Sequence, residues 1–310
     1  MALEAGLGFE PGSLESITDM FRLLKKDEHR VITEMGELII QKLESTMTLT
    51  SLTTTEQSAE HFVREVDTIA QSDMDSSEFA WEFGETIIEI ASHFTPRSSP
   101  QVVLVKALAL LQGDEMTGEA DDEWKYLDDF GMSPCPEFAN NDNLHFTGPE
   151  WLNFNSFLAK LYSERIIDWQ NFPIWELSKG LECPLSDTSY KPAADTKIRV
   201  AAEWIFQSAP RLLAMSRSNF PSGHAEAEKD RHLFSAGPLY PGAGGFSYER
   251  WSFWKRRFSE MRTEVREDLH GILEEAVASM NQTERERAES VGRGGVENEA
   301  WRTKRRRDPR

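Results

Sequence analysis

The stretch GAGGFSYERWSFWKRRF, residues 242–258, sets three glycines in four positions ahead of an aromatic, basic run. A glycine-rich turn before a helix suits two architectures. In a dinucleotide-binding unit it joins a strand to a helix and reads G-x-G-x-x-G, with an acidic residue about twenty positions on. In a helical protein it only lets the chain turn. Here Gly242, Gly244 and Gly245 follow Pro238 and Pro241, no strand pattern precedes them, and Ser247 stands where the third glycine belongs. The Gly-Lys-Ser/Thr of a phosphate-binding loop is missing as well. Ser247 is instead a good N-cap. Phe246 and Trp251 then occupy the two positions of a hydrophobic staple. Trp251, Trp254, Phe258 and Met261 recur at steps of three and four, one face of a helix. Arg250 falls in the first turn, where helix N-termini attract anions.

The helical period extends over the rest of the chain. Leu14, Ile17, Met20, Phe21 and Leu24 mark a first amphipathic helix, and Val31, Met35, Leu38, Ile39 and Leu43 a second over 27–45. Thr54 opens a third, and Ser76 or Ser77 a fourth that ends near His93. Ser99-Pro100 reads as N-cap and first-turn proline, with Gly113 as the stop. The intervening QVVLVKALALLQ is apolar almost all round, which predicts a central buried helix. Eight Asp/Glu within 114–129, then Pro134, Pro136 and NNDN, form an acidic, proline-rich connector over 114–147. Helices resume at Pro149, around Trp175, and over 193–216, where Pro210 is expected to kink or interrupt the pattern. Two last helices are expected at 247–261 and 263–287. The expected fold is all-α, an irregular multi-helix bundle. Paired helices leave a solenoid open, although nothing repeats at a fixed period. The divisions are residues 1–113, the connector 114–147, residues 148–287, and a disordered basic tail at 288–310.

Composition narrows the function classes. Residues 284–310 hold nine Lys/Arg and six Asp/Glu, a net of +3 against −19 for the whole chain, so residues 1–283 carry −22. An acidic body repels phosphates, which argues against generic nucleic-acid binding and against anionic membrane surfaces. No apolar run is long enough for a membrane span, and no secretory signal is expected at the N-terminus. Cys135 and Cys183 lack paired spacing, which argues against disulfides and structural zinc and for a reducing compartment, cytoplasmic or nuclear. Glu267 and His270 form a single E-x-x-H, where a di-iron bundle needs two. Glu89 and His93 read as an exposed i, i+4 pair or a helix end. No cofactor or metal is expected.

WLNFNSFLAKLY (151–162), FPIWELSKGLE (172–182), VAAEWIF (200–206) and GPLYPGAGGFSYERWSFWKRRF (237–258) occur in this order. Together they resemble a mainly fungal family of uncharacterised all-helical proteins, a domain of unknown function. The last stretch is its most specific motif, and the resemblance covers about 145–283. It implies a helical protein and no particular activity or site. Fungal families of this sort sometimes accompany specialised metabolism.

Two readings follow. The first is a non-enzymatic protein-interaction or accessory protein with a protein partner. The alternative is a small-molecule-binding or enzymatic domain with a Trp-lined pocket formed by Trp151, Trp204 and Trp251 beside Asn155 and Arg250. Asn153 and Asn155 also suit caps or cross-links between helices. Lys304, Arg305, Arg306 and Arg307 fit a nuclear localisation signal.

Overall fold

The computed structural model describes residues 19–22, 24, 33–49, 54–70, 76–113, 146–186, 193–221 and 231–305, with the backbone alone at 48, 49, 76–78, 80, 231, 232 and 291–305. Every regular element among them is helical. They are α1 (Glu34–Leu49), α2 (Thr55–Ala70), α3 (Ser76–His93), α4 (Ser99–Gln112), α5 (Gly148–Ser163), α6 (Asn171–Leu181), α7 (Ala194–Ser218), α8 (Tyr248–Glu260) and α9 (His270–Arg305). Residues 19–22 and 24 are also helical, and Phe21 and Leu24 are buried. The connector up to 145 and the run 114–129 lie outside the described residues, as does Cys135.

Local chemistry sets the helix ends. Thr54 and Gln57 cap α2 reciprocally: the Gln57 amide donates to Thr54 Oγ1 (3.2 Å) and the Thr54 amide to Gln57 Oε1 (2.9 Å). Thr147 and Glu150 repeat the arrangement on α5, followed by Pro149 inside the first turn. The N-cap of α4 is Ser98, one residue earlier than expected, because Pro100 sits in the first turn and Ser98 takes the extended backbone. Gly113 ends α4 at φ 77°.

Three expectations are corrected. The all-round apolar α4 is not the central helix. It packs mainly on α2, and Leu110 stays 49 % exposed. The hub is α7, which packs on α5, α6, α8 and α9. Of the two effects expected of Pro210, interruption does not occur: α7 runs unbroken through 25 residues. The buried Ala209, Leu212 and Leu213 anchor the turns around the proline, and that burial outweighs one missing backbone bond. Finally, the last helix starts at His270, because short 3₁₀ turns at Met261–Thr263 and Glu267–Leu269 come first. Glu267 therefore sits outside the helix that carries His270.

The packing is that of a bundle. α1 lies on α2 and α3, α4 on α2 and α5, and α3 on α5. The turn after α3 is pinned to α5 by polar bonds. Asn153 Nδ2 donates to the Ser92 carbonyl (2.8 Å), and Gln101 Nε2 donates to the Phe94 and Asn153 carbonyls (3.2 and 3.0 Å). His93 stands at the helix end, one of its two expected readings, with its Nε2 3.6 Å from Glu150 of α5. Buried apolar side chains from α1 through α9 form one contiguous core.

α6 and α7 touch almost backbone to backbone at Gly180. A Cβ there would lie 2.7 Å from the Lys197 carbonyl oxygen and 2.7 Å from the Ala201 Cβ. Gly180→Ala is expected to destabilise the fold by about 1–3 kcal/mol, although alanine is the better helix former. Urea denaturation checks it: an unchanged or raised midpoint would mean that the helices separate freely.

Candidate functional site

Glu182 follows the last residue of α6, and Arg250 lies in the first turn of α8. Both are fully buried. Arg250 Nε donates to Glu182 Oε1 (2.6 Å) and Nη2 to Oε2 (2.9 Å), a two-pronged ion pair. Nη1 donates to the Phe234 and Gly245 carbonyls (3.2 and 2.9 Å), and Nη2 also to the Ser235 carbonyl (3.0 Å). All five guanidinium protons are thereby used. Glu182 accepts further bonds from Trp254 Nε1 (2.6 Å), the Gly237 amide (2.7 Å) and Ser178 Oγ (3.1 Å). Its backbone carbonyl takes the Leu239 amide (2.8 Å).

This arrangement locks residues 234–246 onto α6 and α8. The glycines serve the same loop. Gly245 has φ 90°, a conformation costly for any other residue, and there its carbonyl accepts from Arg250. Ser247 caps α8 as expected, accepting the Arg250 amide at 3.0 Å. The aromatic contact of Phe246 is with Trp254, edge to face at 6.4 Å, one turn beyond the expected staple partner.

Trp151, Trp204, Trp251 and Trp254 are all buried, and each indole N–H has an acceptor. Trp204 donates to Asn155 Oδ1 (3.0 Å), and Asn155 Nδ2 donates to the Trp151 backbone carbonyl one turn earlier (3.0 Å), so Asn155 joins α5 to α7. Trp151 donates to Glu176 at 3.4 Å, and Trp251 to Glu284 of α9 at 2.7 Å. Trp251 and Arg250 thus belong to a different neighbourhood from Trp151, Asn155 and Trp204. Of the basic run, Lys304 and Arg305 fall on the backbone of α9, and Arg306 and Arg307 lie outside the described residues.

A second polar cluster surrounds the first turn of α4. Lys160 of α5 donates to Gln101 Oε1, which also accepts from Ser156 Oγ (3.3 Å). Ser156 lies 3.1 Å from Glu203 Oε2 of α7, an oxygen that takes a further bond from Gln207 (2.9 Å). Arg97 Nη2 stands 4.0 Å from Glu203 Oε1, and its Nη1 is 3.2 Å from Glu275 of α9. Burial pushes the Lys160 ammonium down to about 8, with the Arg97 charge adding to the fall and Glu203 opposing it.

Glu182, Lys160 and Glu203 were not singled out in the sequence. Lys160 and Glu203 are lone charges inside apolar helical runs, FLAKLY and VAAEWIF, whereas Glu182 shares SKGLECPL with Lys179. A charge flanked by buried residues at every helical step must itself be buried and needs a partner. That signal was available, although it names no partner.

Among the described residues no three His, Cys, Asp or Glu side chains gather as a metal-binding group, and no helix is long and apolar enough to cross a membrane. The molecule is thus a multi-helix bundle organised around α7, with a buried arginine latch and a polar cluster at α4. Residues 85–258 match the model of the DUF3632 family, described as a protein of unknown function. With more than half of its length matched, the chain belongs to that family. No curated protein and no solved structure matches it.

Arg250→Met leaves the Glu182 carboxylate buried without a cation and is expected to destabilise the fold by about 3–5 kcal/mol. Adding Glu182→Leu should restore part of that loss, since the isolated charge goes while the Trp254 and Gly237 donors stay orphaned. Chemical denaturation of the single and double variants tests the coupling, and strictly additive losses would refute it.

Lys160 predicts a pH effect of definite sign. Between about 8 and the ordinary 10.5 the unfolded chain holds a proton that the folded chain has released, so this group makes stability rise with pH. Burial pushes the Tyr162 phenol up to about 12 from 10.0, so above pH 10 the folded chain keeps a proton and stability falls. Urea midpoints at stepped pH should rise less steeply between 8 and 10 in Lys160→Met than in the wild type. Parallel profiles would show that the amine is not destabilised by burial.

Proposed function

We propose that this chain is a non-enzymatic protein-interaction or accessory protein, and that residues 235–248 are its contact surface. The observation that supports this most is the Arg250–Glu182 latch lying directly beneath an exposed apolar rim. Leu239 is 39 % and Tyr248 41 % exposed, while the backbone on both sides of Leu239, at Phe234, Ser235 and Gly245, hangs on Arg250. A buried ion pair adds little net stability over apolar packing. Its benefit here is one fixed loop conformation. A loop held in place before binding avoids the ordering cost of association. Tyr248, with the Arg217 guanidinium 5.2 Å from its ring, supplies the aromatic and arginine chemistry common in interface anchors. The acidic body makes a protein a better partner than a phosphate-bearing polymer. The proposed setting is the cell interior, with the run 304–307 as a route to the nucleus.

Leu239→Asp combined with Tyr248→Ser alters only exposed positions, as does the control Leu110→Asp on α4. In quantitative affinity capture from native cells, the wild type and the control should retain a common protein that the loop variant loses. Identical recoveries by all three baits would sink the proposal.

A further inference from the structure

The cluster at α4 is remote in sequence from the latch loop and carries donors that the fold does not use. A lysine ammonium has three protons, and Lys160 places one of them on Gln101. The Gln101 amide protons are both engaged by backbone carbonyls. Ser98 is the N-cap of α4, yet its side chain caps no amide. Its hydroxyl is buried and has no hydrogen-bond partner among the described residues. The neighbouring Arg97 is held at φ 64°, in the left-handed region that a bulky residue adopts only when its surroundings demand it. Its guanidinium is half-exposed, 4.8 Å from the centre of the Phe206 ring. The first amides of a helix also lack intrahelical partners.

We propose that a small organic carboxylate binds at the N-terminus of α4, held by Lys160, Arg97 and the Ser98 hydroxyl. Two carboxylates stand by the two cations, Glu275 3.2 Å and Glu203 4.0 Å from Arg97, and the positive end of a fourteen-residue helix is left without a counter-charge. The α4 N-terminus therefore has room for one negative charge. The Glu203 carboxylate disfavours a dianion such as phosphate, which selects the carboxylate group. The Ser98 hydroxyl gains the partner it lacks, and Lys160 gains a counter-charge that offsets its burial. The charged groups around Lys160 are Glu203 from α7 and Arg97 from the turn before α4.

The test uses the wild-type chain. Competitive amine labelling across pH, with Lys160 followed in its own peptide, gives the titration midpoint in sodium acetate, sodium chloride and inorganic phosphate at matched ionic strength. Acetate should raise the midpoint from about 8, by on the order of one pH unit, where chloride does not. Acetate affinity should fall about tenfold for each pH unit above that midpoint, since the bound form needs the ammonium. Arg97→Ala, at an exposed side chain, should weaken acetate about tenfold. A midpoint that acetate and chloride leave equal overturns the proposal. So does an equal response to phosphate, which would indicate an unselective anion effect, or an acetate response untouched by Arg97→Ala.

Discussion

The carboxylate of Glu182 is the constraint on which the surrounding structure depends. It is fully buried at the end of α6, and an ionised carboxylate in an apolar interior is tenable only when every lone pair is met. Its partners are drawn from Ser178 on α6 itself, Trp254 and Arg250 on α8, and the Gly237 amide in the intervening loop. Satisfying that one group therefore fixes where α8 begins and how the loop reaches it. Arg250 in turn requires acceptors for three more protons. The carbonyls of Phe234, Ser235 and Gly245 provide them, which sets the path of a segment that has little regular structure. The loop is ordered by electrostatics where it lacks a core of its own.

The same logic governs the tryptophans. An indole buries a large apolar face but brings one N–H that needs an acceptor. In Trp151, Trp204, Trp251 and Trp254 that acceptor is a side chain on another helix: Glu176, Asn155, Glu284 and Glu182. Each bond ties one helix to a second at a set rotation, which apolar packing alone specifies less sharply. The acidic residues of the second half are thus divided between solvent and a small set of interior duties.

What could be read from the sequence followed the range of the interactions. Caps and periodicity act within one turn, so Thr54, Pro149, Gly113 and Ser247 marked helix ends correctly or within a residue or so. The character of the 242–258 stretch was also legible, because a nucleotide loop needs spacing that is visibly missing. The hub was not. α4 has the most uniformly apolar sequence, but α7 has four neighbours, and its Glu203 and Arg211 reach polar partners outside the helix, Ser156 and the Ile167 carbonyl. A helix surrounded on several sides needs polar groups wherever neighbouring backbones end, so its sequence looks less buried than it is. Arg250 was recognised as a residue able to bind an anion. The anion is the chain's own Glu182, sixty-eight positions away, and no local pattern carries that separation.

The two polar centres differ in a way that bears on function. At Glu182 and Arg250 the donors and acceptors are matched within the chain, and nothing is left for a ligand. That completeness is what a structural latch requires. At α4 the matching stops short: the Ser98 hydroxyl has no partner among the described residues, and Lys160 sits below its ordinary range. Natural folds leave few buried polar groups unmet. Two departures beside one helix N-terminus, next to a residue held in left-handed backbone, are hard to attribute to packing alone, because Ser98 could have capped α4 in the ordinary way. The contrast gives each centre its own role: the saturated one shapes a surface, and the incomplete one has capacity left for a ligand.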